Sequence, residues 1–115
     1  MGRYYILRGE LVVEEPDFGN WVAWHASSYE KLRCVARTSV KFGAVVTVFL
    51  GMNMALAESE RALLFETRVM GGWLNDQWAR CSTLEEARAA HKAWVARIRA
   101  MEQENELPPP DCRTW

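Results

Sequence analysis

Apolar positions recur at the period of strands through the first two thirds of the chain and at the period of a helix near its end. Residues 4–7 and 11–13 are β-prone stretches separated by Arg8, Gly9 and Glu10, and the glycine suits the positive φ of a tight turn. An opening hairpin is expected. Pro16 and Asp17 end it, and Asp17 is placed to cap a short helix over residues 18–26, with Phe18, Trp21, Val22 and His25 at helical spacing. Trp24 falls on or beside that face, and packing of both tryptophans against a sheet is the expectation. Over residues 32–38, Cys34, Ala36 and Thr38 alternate with Arg33, Val35 and Arg37, the pattern of a strand with one wet side. A turn near Lys41, Phe42 and Gly43 leads into residues 44–50, whose nearly unbroken apolar run predicts a central strand covered on both faces.

Residues 52–61 carry no strand pattern and read as a mobile loop with some helical propensity. Residues 63–70 place Leu63, Phe65, Thr67 and Val69 on one face and Leu64, Glu66, Arg68 and Met70 on the other. Gly71 and Gly72 then give a flexible turn, and residues 78–81 return as a last short strand. Hairpin-length links without crossover helices make an antiparallel meander the economical topology.

The C-terminal helix is the best-marked element. Ser82 with Glu85, or Thr83 with Glu86, forms a capping box, and both carboxylates complement the helix dipole. Leu84, Ala87, His91, Trp94, Ile98 and Met101 then recur at spacings of three and four, one stripe that must cover the sheet. Arg88, Lys92 and Arg99 fall toward water, and three prolines after Leu107 end any helix. The fold class expected is therefore α+β: an antiparallel sheet of about five or six strands, packed by a long C-terminal helix and a short N-terminal one. Residues 1–104 form one domain, and residues 105–115 a Pro-rich flexible tail.

A length of 115 residues allows one hydrophobic core, and the average apolar and charged content argues against disorder or a fibrous repeat. A net charge of −1 gives no overall electrostatic footprint for nucleic acid or anionic lipid, although a local basic patch of Arg33, Arg37, Arg68 and Arg80 would revive nucleic-acid binding. The N-terminal apolar run is too short for a signal peptide, and residues 44–50 are far below the roughly 20 residues of a membrane span, so a cytoplasmic protein is expected. Cys34, Cys81 and Cys112 form an odd set without CxxC spacing, which disfavours a disulfide framework or a zinc site.

No phosphate-binding glycine loop, dinucleotide fingerprint, metalloprotease helix, nucleophile elbow or EF-hand loop occurs, so no cofactor is expected. His25 and His91 have no second ligand at i+3 or i+4, and His91 lies in the apolar stripe as a core histidine would. An enzymatic alternative would use Cys81, which precedes a helix N-terminus beside Arg80, or His91 as a base. Six tryptophans are the compositional oddity, and two of them, Trp73 and Trp78, flank Asn75 and Asp76 after the glycine pair. Exposure is favoured for Trp73, while Trp78 reads equally as exposed or inward. Together with Met52, Asn53, Met54 and Leu56 of the preceding loop, these residues are the candidate partner-binding set.

Four blocks carry a resemblance: Val35 to Thr38; Thr47 to Asn53; Leu63 to Gly72; and Ser82 to Ala87 with His91. In this order, preceded by Trp21 and Trp24, they resemble a family of small uncharacterised bacteriophage and prophage proteins over most of residues 3–100. The resemblance implies a phage accessory protein in the host cytoplasm that acts by non-catalytic binding to a host or phage macromolecule. A protein or protein complex of the host is the implied partner, and inhibition of a defence system such as CRISPR the implied outcome. It supplies no catalytic residues. Two departures stand out: the loop after Gly51 is rich in Met, Ala, Leu and Glu, and Cys81 replaces an aromatic usual before the Ser-Thr step. A homodimer paired through a sheet edge or the helix is the structural alternative.

Overall fold

The computed structural model describes residues 2–27, 33–57 and 61–105. Strands β1 (Tyr5–Arg8) and β2 (Leu11–Glu14) form the expected hairpin, and α1 (Phe18–Ser27) follows. Asp17 caps α1: its Oδ1 accepts from the Asn20 N–H at 2.8 Å and its carbonyl from the Trp21 N–H at 3.0 Å. Strands β3 (Cys34–Val40), β4 (Gly43–Phe49), β5 (Phe65–Met70) and β6 (Trp78–Cys81) pair antiparallel in chain order. Helix α2 (Leu84–Glu104) packs across them. The class is α+β as expected, but the strands divide into a two-stranded and a four-stranded sheet rather than one meander. Residue 32, residues 58–60 of the expected loop and nearly all of the expected tail, with Cys112, lie outside the described residues.

Alternation decides which side of the four-stranded sheet is covered. Val45, Thr47 and Phe49 of β4 and Phe65, Thr67 and Val69 of β5 face α2 and are all but fully enclosed. The hairpin and α1 pack on this same side, through Tyr5, Leu7, Val12 and Trp24, with Trp24 edge-on to Phe49 at 5.9 Å. Trp21 anchors α1 by donating its indole N–H to the Gly51 carbonyl at 2.9 Å and the Tyr5 carbonyl at 3.1 Å. Gly51 holds φ at +76°, a left-handed conformation that a residue with a Cβ adopts at a cost.

Two expectations about β3 and β4 are corrected. A β-bulge between Cys34 and Ala36 sends Cys34 to the face opposite Ala36 and Thr38, and lets Val35 pack against the core. Strict alternation cannot anticipate one inserted residue. The central strand β4 is covered on one face only, because every described element packed on the sheet lies on the α2 side, and Val46 and Val48 remain partly exposed.

Both ends of α2 are pinned to the sheet. Thr83 is the N-cap, and it completes a capping box with Glu86, so the second of the two possible registers is the one used. Glu86 also pairs with both terminal nitrogens of Arg61 at 3.0 and 3.1 Å. Near the other end, Glu102 accepts the Phe42 N–H of the β3–β4 turn at 3.1 Å. The buried stripe of α2 contains Ala87, His91, Val95 and Ile98, with Leu84, Trp94 and Met101 half-buried beside it.

Candidate functional site

The most polar part of the interior belongs to His91. Its Nε2 is 2.8 Å from Thr38 Oγ1, its Nδ1 is 2.8 Å from Thr47 Oγ1, and Thr47 Oγ1 lies 2.7 Å from Thr67 Oγ1. Each hydroxyl both donates and accepts, so either neutral imidazole tautomer satisfies the whole chain of bonds. His91 is 5% exposed and burial holds its pKa below the ordinary value. Thr47 sits between Val45 and Phe49, Thr67 between Val69 and Phe65, and His91 between Val95 and Ala87, so this layer separates the two apolar clusters of the core. It is an enclosed, self-satisfied network with the properties of a fold-specifying layer.

The thiol alternative finds a different environment from the one it needs. Burial, and then the Glu86 carboxylate, push the Cys81 pKa up, outweighing the opposing pull of Arg61. Its Sγ lies 3.9 Å from the Thr83 carbonyl oxygen, at an open depression lined by Arg61, Leu63, Arg80, Ser82 and Glu86. His25 is engaged elsewhere, accepting from Arg33 at 2.9 Å, with its pKa lowered by burial and then by that guanidinium. Among the described residues no three His, Cys, Asp or Glu side chains group to hold a metal ion. No helix in this region is long and apolar enough to cross a membrane.

The candidate partner-binding residues separate into tethered and presented ones. Met52 is half-buried and bridges Tyr4, while the Met54 N–H donates to the Leu63 carbonyl at 3.0 Å. Asn53 ties this loop together, its Oδ1 accepting from the Ala55 and Leu63 N–H groups at 2.9 and 3.1 Å. Leu56 is fully exposed. After β5, Asn75 closes the turn by accepting the Gly71 N–H at 2.7 Å, Asp76 is exposed with φ at +69°, and Leu74 is drawn into the core. Trp73 is half-buried rather than exposed, because the turn folds back on itself and encloses its indole Nε1. Trp78 is the presented aromatic of the pair, 48% exposed on β6.

Trp78 points to the sheet face that α2 leaves open. Strand register lays this face out in rows: Ser39, Ala44 and Met70; then Arg37, Val46, Arg68 and Trp78; then Cys34, Val48, Glu66 and Arg80. Arg80 stacks over Trp78, its guanidinium carbon 4.3 Å from the ring centroid, and reaches Glu66 at 3.2 Å. Arg68 approaches the same carboxylate at 3.5 Å, whereas no described residue forms an ion pair with the exposed Arg37. Met70, 49% exposed, completes an apolar strip with Val46 and Val48. Alternation marked Arg37 and Arg68 as outward; what sequence did not disclose was that one register row joins them to Trp78.

The chain thus presents an antiparallel α+β scaffold with one sealed sheet face and one open, aromatic and arginine-bearing face. Comparison with protein families, with curated proteins and with solved structures finds no match.

Proposed function

We propose that the protein acts by non-catalytic binding, using the open face of its four-stranded sheet to engage a host or phage macromolecule. The observation that carries this reading is the row Arg37, Val46, Arg68 and Trp78, which combines a half-exposed tryptophan, one valine of the apolar strip and two guanidinium groups on the sheet. Tryptophan and arginine dominate interface energetics because each offers a large contact area together with directional polar groups. The resemblance to small phage proteins supports a setting in the host cytoplasm, with inhibition of a bacterial defence complex as the result of binding.

Affinity purification of the tagged protein from a bacterial host, with the mass of the recovered complex measured in solution, tests this reading. A stable heterologous complex that is lost in the Trp78→Ala variant supports it. Recovery of only the homodimer overturns it in favour of an assembly role, and recovery of only the monomer overturns it in favour of the enzymatic alternative.

A further inference from the structure

Resting on the binding reading, we infer that the macromolecule recognised by the open sheet face is single-stranded nucleic acid. The first support is charge. Arg37, Arg68 and Arg80 share this face with one carboxylate, Glu66, leaving a local excess of two positive charges on a chain whose total is −1. Residues 2–17, on the other side of the sheet, carry Arg3 and Arg8 against Glu10, Glu14, Glu15 and Asp17. The α2 helix is balanced, with four basic and four acidic residues. Net charge conceals this asymmetry because the acidic hairpin offsets the basic face.

The second support is geometry. Adjacent strands lie about 4.8 Å apart, so the Arg37 and Arg68 backbones, with β4 between them, stand roughly 10 Å apart, and Trp78 is one strand further along the same row. A guanidinium has five N–H donors, so Arg68 and Arg80 can donate to a phosphate while still holding Glu66. Trp78, 48% exposed, offers a base the ring face that Arg80 does not cover, and only an unpaired base exposes its own ring face for this. A duplex would present phosphates to the arginines and leave Trp78 without a partner. An acidic protein segment would satisfy the arginines alone.

The test uses the full chain and fluorescein-labelled oligo(dT) and oligo(U) of about 16 nucleotides, the upper end of single-strand site sizes for one small domain. Fluorescence anisotropy should report binding whose logarithmic salt slope is about −2, as expected for three phosphate contacts on a single strand. Trp78→Ala should weaken binding at least about fivefold. Arg37→Gln should reduce the steepness of the salt slope by about 0.7. Lys92→Gln, on the exposed side of α2, should change neither, with circular dichroism verifying that each variant is folded.

The inference is overturned if oligonucleotides do not bind, if a duplex or polyglutamate binds as tightly as oligo(dT), or if Lys92→Gln weakens binding as much as Trp78→Ala. Nuclease treatment before affinity purification separates its failure from that of the binding reading. A protein complex that survives nuclease and depends on Trp78 retains binding and refutes nucleic acid as the ligand, whereas failure of both assays removes both.

Discussion

Thr47 Oγ1 stands 2.8 Å from His91 Nδ1 and 2.7 Å from Thr67 Oγ1, so one buried hydroxyl joins the helix to the two central strands. Thr47→Val keeps the side-chain shape but leaves a buried imidazole nitrogen and the Thr67 hydroxyl without their partner. Urea unfolding should show a loss of about 1–3 kcal/mol. Adding His91→Leu to Thr47→Val should cost less than the two single substitutions combined, because the pair fails together. A coupling energy of about 0.5 kcal/mol or more in a double-mutant cycle is expected, and strict additivity would contradict the network.

The same histidine gives stability a direction in pH. Burial lowers the His91 pKa from its ordinary 6.5, and burial followed by Arg33 does the same to His25. In the window below 6.5 the unfolded chain takes up protons that the native chain refuses, so stability falls as pH falls and levels off once the native imidazoles also titrate. The thermal midpoint should therefore drop between about pH 7 and about pH 5, above the range in which the lowered carboxyls Glu10 and Glu86 contribute. His91→Asn should flatten part of that slope. A midpoint that rises on acidification would contradict the assignment.

The elements were legible where local pattern and tertiary packing agree. The stripe of α2 and the inward set Phe65, Thr67 and Val69 follow from periodicity, while the Asp17 cap, and the α2 cap to within the two registers of Ser82 and Thr83, follow from capping chemistry. Periodicity failed at Cys34, where a bulge changes the phase, and at β4, where an apolar run reads alike for a strand covered on one face or both. The open sheet face was only half visible for a related reason. Exposure of Trp78 follows from where α2 lies, and its place beside Arg68 from β5–β6 register, neither of which is written in neighbouring residues. Trp73 is less exposed than its glycine-rich surroundings suggest, because Asn75 closes that segment into an ordered turn.

The capping box at α2 offers a test of how the helix is fixed to β6. The Glu86 carboxylate accepts from the Ser82 and Thr83 N–H groups at 3.2 and 3.1 Å while Arg61 grips it from the side. Thr83→Ala removes the acceptor for the Glu86 N–H and should cost about 1 kcal/mol. Glu86→Ala should cost more than Arg61→Ala, since it frees two backbone donors, whereas Arg61 contributes one exposed ion pair. Equal losses in chemical denaturation would mean that the ion pair, rather than the cap, holds the helix start.

Cys81 bears on the choice between binding and catalysis. A nucleophilic thiol needs a lowered pKa, yet burial and the Glu86 carboxylate both favour the protonated form here. In a Cys34→Ser, Cys112→Ser background, which leaves Cys81 as the single thiol, its reaction with iodoacetamide near pH 7 should be slower in the native protein than after denaturation. Glu86→Gln should bring a modest acceleration by removing the carboxylate's contribution to the raised pKa. Native reactivity above that of the unfolded chain would show an activated thiol, and the enzymatic reading would then displace the binding one.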